Sequence, residues 1–224
     1  KSPSTNQFYY DLEAADFDNY ELGGWASFFR NKLTIDLAAY LMKGQNELLS
    51  VRQADNSYEY QSAGETLHRG LELGINARPL QELAFRFGGT VALHRFEDFA
   101  ISETQNLAGY EMPSAPRYTW NTELSYYPDW LGGFRTSLEW QHVGEFYQNQ
   151  VNTLRYEGYE LLNLRLGYRW KSIEVFTNVI NLTDQLYATN VSSGNKATDR
   201  TSYTPAAPRT YVMGIQYNFT GKHK

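Results

Sequence analysis

A chain of 224 residues with a formal charge of −5 and no cysteine lacks the basic footprint of a nucleic-acid binder and the thiols for a disulfide framework or a cysteine-ligated metal. No run of about eighteen apolar residues occurs, so no segment suits a transmembrane helix; a membrane-crossing strand needs apolar side chains only at alternate positions. Eighteen Tyr within an aromatic content of 16 % fit an interfacial aromatic girdle as well as a soluble β-protein with half-exposed tyrosines.

The chain opens on Lys1-Ser2-Pro3-Ser4-Thr5-Asn6-Gln7, which is polar and has no apolar signal-peptide core. Residues 1–19 carry Asp11, Glu13, Asp16 and Asp18 and read as the end of a surface loop; Asp16 and Asp18 lack the glycine and closing glutamate of a calcium loop. A first strand is predicted from Tyr20 to Phe29. After a turn at Arg30-Asn31-Lys32, Leu33, Ile35, Leu37, Ala39 and Leu41 alternate with Thr34, Asp36, Ala38 and Tyr40, the two-residue period of a strand. A polar stretch, 43–64, follows. The third strand is predicted over Leu67–Ala77, a short turn at Arg78-Pro79-Leu80-Gln81, and the fourth over Leu83–Leu93. Beyond a long polar segment, 97–115, the fifth strand shows Tyr118, Trp120, Leu124 and Tyr126. A turn at 128–133 leads to the sixth, with Phe134, Leu138 and Trp140, and a longer loop, 145–156, follows.

The last third is the most regular. Leu162, Leu164, Leu166, Tyr168 and Trp170 alternate with Asn163, Arg165, Gly167 and Arg169; Ile173, Val175 and Val179 with Glu174, Asn178 and Asn181; and Tyr211, Met213, Ile215, Tyr217 and Phe219 with Thr210, Val212, Gly214, Gln216 and Asn218. Runs of roughly ten residues match a strand crossing a bilayer at a tilt better than an average soluble strand. Nine strands joined alternately by short turns and long loops predict an antiparallel up-and-down barrel wall, with long loops outside and short turns at the periplasmic end. Single-chain bacterial barrels have an even strand number, so a missing N-terminal portion is expected, with the first and ninth strands left unpaired. Leu71, Leu73, Leu162, Leu164, Leu166, Met213 and Ile215 are expected on the lipid side, and Glu72, Asn163, Arg165, Gln216 and Asn218 on the lumen side.

Several words carry a resemblance. Val179-Ile180-Asn181-Leu182-Thr183-Asp184-Gln185-Leu186-Tyr187, a polar loop, and Pro205-Ala206-Ala207-Pro208-Arg209-Thr210 before a strand ending in Phe219 resemble the closing signature of TonB-dependent outer-membrane receptors. Upstream, Tyr20-Glu21-Leu22-Gly23, His68-Arg69-Gly70-Leu71-Glu72 and Ala115-Pro116-Arg117 resemble further markers in the family's order. Thr220 to Lys224 depart from it as a tail after the aromatic. The resemblance implies an all-β transmembrane barrel of about twenty-two strands, of which this chain is similar to the last nine: 1–19 the end of an extracellular loop, 20–219 the C-terminal barrel part, 220–224 a polar tail. It implies high-affinity uptake at the bacterial outer membrane, most often of a ferric siderophore, with no cofactor beyond the iron transported. The implied partners are outer-membrane lipid and lipopolysaccharide, the receptor's own plug domain and remaining strands, and the TonB complex through an N-terminal segment absent here.

Candidate chemistry is sparse. His68, His94, His142 and His223 lie too far apart in sequence for a local metal motif; His68 and His94 could meet across neighbouring strands, with solvation by channel water the plainer reading. No nucleophile elbow, P-loop or dinucleotide fingerprint occurs. Charges on the polar face, among them Glu21, Asp36, Glu72, Arg86, Glu123, Arg135, Glu139, Arg165, Arg169 and Glu174, suit a wet lumen or contact with a plug. Loop residues Tyr58, Tyr60, Tyr110, Met112, Phe146, Tyr147, Tyr156, Tyr187 and Tyr203 are the candidates for ligand contact, since aromatics offer large area at low entropic cost; near strand ends they serve equally as a girdle. Arg117 and Arg209 are read as loop anchors first and anion contacts second. An outer-membrane barrel enzyme and a soluble β-sheet binding module are the alternatives.

Overall fold

In a computed structural model, residues 14–52, 58–62, 64–102, 105–196 and 198–219 are described. One antiparallel sheet dominates. Its nine strands are β1 (Asp16–Phe28), β2 (Leu33–Gln45), β3 (Glu65–Leu80), β4 (Leu83–Asp98), β5 (Tyr118–Tyr126), β6 (Phe134–Val143), β7 (Tyr159–Trp170), β8 (Ile173–Ile180) and β9 (Thr210–Tyr217). Each pairs with its neighbour in sequence, and β1 and β9 form the two edges without pairing to one another. All nine predicted strands are present, and the long connections gather at one end of the sheet, because consecutive antiparallel strands alternate in direction.

The boundaries differ where local sequence is ambiguous. β1 begins at Asp16, not Tyr20, because Asp16, Phe17, Asp18 and Asn19 pair with Gln45, Gly44, Lys43 and Met42. β3 runs on to Leu80 and the turn falls at Gln81 and Glu82, later than the Arg78 and Pro79 signal suggested. β9 ends at Tyr217, two residues before Phe219, whose ring packs edge-on against Tyr217 with centroids 4.6 Å apart. His223 and 220–224 lie outside the described residues.

Register explains the two faces. Phe28, Leu33, Ala77, Phe85, Leu124, Leu138, Leu164, Val179 and Tyr211 form one continuous row of partners across all nine strands. One residue along each strand, Ser27, Thr34, Asn76, Arg86, Glu123, Glu139 and Asn163 form a second row. Since successive side chains point to opposite faces, the first row stands on one side and the second on the other. Among the described residues no second layer covers the apolar side: Leu22 is 81 % exposed, Leu71 55 % and Ile215 76 %. A packed soluble sandwich would bury those residues between two sheets.

Ion pairs stitch the polar side together. Glu123 and Glu139 are direct register partners, a like-charge arrangement that destabilises a sheet unless neutralised. Arg165 on β7 spans both, at 3.1 Å from Glu123 and 2.6 Å from Glu139, while Arg86 on β4 reaches Glu123 at 2.7 Å. Toward β8, Glu174 takes both Arg135 and Arg169.

A cationic side chain facing hydrocarbon near the bilayer midplane costs about 2–4 kcal/mol. Leu73→Arg in the full-length protein is expected to lose about that much stability in lipid vesicles, read by denaturant titration. Glu72→Gln, one residue along and on the other face, should change it little.

Candidate ligand-facing loop site

The long connections are folded structures in their own right, which the polar composition did not reveal. Each contains a short antiparallel ladder: Leu48–Arg52 with Tyr58–Ser62, Ala100–Ser102 with Gln105–Asn106, Phe146–Tyr147 with Arg155–Tyr156, and Ala188–Ser192 with Ser202–Pro205. The loop after β4 also has a core, in which Phe96, Phe99 and Leu107 are fully buried with Ile101, Met112 and Val151 packed around them. Val151 belongs to the next long loop, so this small core joins two connections.

Hydrogen bonds bring a third loop into the same body. Asn152 donates to the Glu111 carbonyl at 2.8 Å and accepts the Glu111 N–H at 2.7 Å. Ser114 N–H donates to the Tyr147 carbonyl and Ser193 N–H to the Gln148 carbonyl. Asn149 donates to the Gly194 carbonyl at 3.2 Å, and Asn195 to Gln150 Oε1 at 3.1 Å. Between these loops lies a polar cleft of about 250 Å³, lined by residues from all three.

The motif words turn out to be clamps at the loop bases. Asn181, fully buried and left-handed at φ 54°, accepts the Gln185 N–H at 2.9 Å and donates to the Gln185 carbonyl at 2.9 Å and the Ala207 carbonyl at 3.4 Å. Its own N–H goes to Asn163 Oδ1 at 2.9 Å, and Leu182 N–H returns to the Leu162 carbonyl. Asp184 accepts the Arg209 N–H at 2.8 Å, while the Arg209 guanidinium reaches the Leu182 carbonyl at 3.3 Å. Asparagine and aspartate suit such positions because their short side chains tolerate left-handed backbone and bond locally to the main chain. Tyr187 packs on Tyr159 with centroids 4.5 Å apart. At the other Ala-Pro-Arg word, next to Pro116, Arg117 grips Glu111, with Nε 2.9 Å from Oε2 and its terminal nitrogen on Oε1. That hydrogen bonding raises the Arg117 pKa above its already high ordinary value, so the anchor stays charged.

Upstream, Glu21 is the register partner of Tyr40, and the Tyr40 ring lies over Gly70, where a Cβ would stand 2.7 Å from it. Arg69 points to the apolar side, and Glu72 to the polar side opposite Ala38 and Thr90. Glu21, Asp36 and Glu72 have no ion pair or hydrogen bond among the described residues, and they surround a broad depression floored by Gly23, Gly74 and Gly88.

The aromatic candidates do not converge. Tyr110 and Tyr203 are 40 % and 55 % exposed. Tyr147 accepts a bond from Arg155 at 2.7 Å, with that guanidinium 4.8 Å above its ring. Tyr156 accepts the Ala188 N–H at 2.9 Å and packs on Phe146, and Met112 belongs to the loop core. Tyr58 and Tyr60 stand in register with Arg52 and Ser50. Among the described residues no ring contact joins Tyr110, Tyr147, Tyr156 and Tyr203 to one another.

The histidines correct one expectation. His68 and His94 are register partners whose Nδ1 atoms lie 2.8 Å apart, and His68 is buried with Nε2 at 2.9 Å from Glu47. A neutral pair fits: Nε2 of His68 donates to the carboxylate, leaving its Nδ1 to accept from His94. His142, by contrast, stacks flat on Trp120 at 3.7 Å beside Trp140 on the apolar side.

A family model described as TonB dependent receptor-like, beta-barrel, matches residues 1–182. Among solved structures, the ferric yersiniabactin uptake receptor FyuA of Yersinia pestis is 20 % identical with a TM-score of 0.74, the match covering 92 % of this chain and 30 % of that one. The siderophore receptor PiuA of Acinetobacter baumannii is 20 % identical with a TM-score of 0.71, covering 90 % and 28 %. The ferric-catecholate import receptor Fiu of E. coli K12 is 18 % identical with a TM-score of 0.71, covering 93 % and 28 %. The chain thus spans under a third of the length of these structures.

Asn181→Ala strands several buried main-chain groups, each costing about 1–3 kcal/mol when unpaired. Expected are a loss of about 2 kcal/mol or more in stability and faster proteolytic cleavage within 182–209. Unchanged cleavage would mean that the clamp does not hold the loop.

Proposed function

The chain belongs to the TonB-dependent receptor-like β-barrel family, and we propose that it supplies wall and loops to a receptor importing a ferric siderophore or a similar iron complex. As a member of that family it is an outer-membrane β-barrel protein of the transporter class and not an enzyme. The observation that carries the reading is the sheet itself: nine membrane-length strands, apolar and uncovered on one face, polar on the other, with folded loops at one end only.

Within this reading, the C-terminal part of the barrel begins with β1 at Asp16, and the segment before it leads in from an extracellular loop. The apolar face meets lipid and, in the outer leaflet, lipopolysaccharide. Unpaired backbone groups in hydrocarbon cost several kcal/mol each, so further strands of the receptor cover the edges at β1 and β9. The unpaired carboxylates Glu21, Asp36 and Glu72 seat basic side chains of the plug. Tyr110 and Tyr203, exposed at the loop end, contact the incoming complex, Tyr58 and Tyr60 are further candidate contacts, and Met112, Tyr147 and Tyr156 brace the loops from within. Glu21, Arg69, Gly70, Glu72, Pro116, Arg117, Asn181, Leu182, Asp184, Tyr187, Pro208, Arg209 and Phe219 act as framework positions. Ligand binding is followed by displacement of the plug, driven by TonB.

The test is uptake of radioactive iron complexes by cells relying on the full-length receptor, with and without functional TonB. TonB-dependent accumulation of at least one ferric complex is expected; accumulation of none, from a receptor correctly inserted in the outer membrane, would overturn the reading. A Glu21→Gln, Asp36→Gln, Glu72→Gln variant should loosen the plug, seen as antibiotic leakage through the barrel.

A further inference from the structure

The cleft between the three joined loops is built for a ligand that the exposed tyrosines do not explain. Its wall includes Ser114, Gln148, Asn149, Ser193, Asn195 and Arg200, and among the described residues neither a carboxylate nor an aromatic ring lines it. Arg200 has no ion pair or hydrogen bond among the described residues, and the Asp199 carboxylate beside it takes the Lys196 N–H at 3.0 Å, so the guanidinium is left for a ligand. Gln148 is 7 % exposed; its Nε2 donates to the Arg155 carbonyl at 2.6 Å, but its Oε1 has no partner. Ser193 Oγ, from the facing loop, is likewise unpartnered and shut off from solvent. Buried polar atoms are almost always bonded, so these two atoms, set just behind the cleft wall, call for a partner that a bound ligand can supply once the side chains turn.

We propose that this cleft binds a hydroxycarboxylate. An acceptor such as Gln148 Oε1 needs a hydroxyl donor, which a simple carboxylate lacks. Arg200 needs an anion, which a neutral polyol lacks. The absence of a stacking ring from the wall removes the contact that a catechol would use. Both orphan atoms lie behind the cleft surface, so a small turn of their side chains is needed to meet the ligand. At about 250 Å³ the space is below that of sites for drug-sized ligands and admits one small acid or one hydroxycarboxylate arm of a larger iron complex. Only the second source rests on the receptor reading above.

Calorimetric titration of the detergent-purified full-length receptor with citrate, gallium(III) citrate, acetate and glycerol separates these possibilities. Citrate, free or as the gallium complex, is expected to bind at least about tenfold tighter than acetate or glycerol, and whichever form binds better names the source. Arg200→Gln should weaken citrate by roughly tenfold. Ser193→Ala should weaken it while leaving thermal unfolding unchanged, since Oγ has no bond to lose, an effect that a merely structural serine would not produce. Citrate affinity unaltered by both substitutions, or absent in both forms, overturns the proposal. If iron uptake proceeds and these variants bind citrate as the parent does, this inference alone fails. If uptake fails while the substitutions abolish a measured citrate affinity, the transport reading alone fails.

Discussion

Hydrocarbon offers no hydrogen bonds, so every backbone N–H and C=O that crosses it must be paired by a neighbouring strand. That constraint dictates the nearest-neighbour meander and its register, which passes unbroken from Phe28 to Tyr211 across nine strands. Once the backbone is committed in this way, side chains have only two places to go. The apolar ones take the side whose solvent is lipid, where exposure of Leu22 or Ile215 carries no hydrophobic cost.

On the other side the problem is charge. Carboxylates and guanidinium groups placed on a wet wall are inexpensive individually, yet Glu123 and Glu139 fall directly opposite one another. Arg165 and Arg86 neutralise them, and Asn121 and Asn163 add hydrogen bonds to Glu139 at 2.8 and 3.1 Å. The inner wall is thereby divided. Around β4–β8 its charges satisfy one another; around β1–β3 the acids Glu21, Asp36 and Glu72 have no such partners. One half is internally complete, and the other presents a negative surface to whatever fills the lumen.

How much of this was legible in the sequence follows from the same physics. The wall was, because a strand between lipid and water must alternate, and Leu162 to Trp170 does so without a break. Strand ends were less so, since pairing decides them: Pro79 reads as a turn, yet β3 passes through it. The turn at Gln81 and Glu82 sets the register in which His68 stands opposite His94. The loops were opaque for another reason. Phe96, Phe99 and Leu107 do not keep the two-residue period of the wall, and their core closes only with Val151 from another connection. The cleft is assembled likewise from three distant segments, so Gln148, Ser193 and Arg200 carry no joint signal. Motif resemblance singled out Asn181, Asp184 and Arg209, while their bonds to main chain became visible only in the folded loop.

That clamp separates the wall from its decoration. Asn181 and Arg209 close the connection where it leaves and re-enters the sheet, so β8 and β9 meet in the same register whatever lies between Gln185 and Ala207. Since lengthening a closed loop costs little entropy, the segment beyond the clamp can be rewritten in size and chemistry without disturbing the strands beneath. The architecture is in this sense a socket: a fixed mount, stabilised by local main-chain bonds, on which the connecting segment is interchangeable.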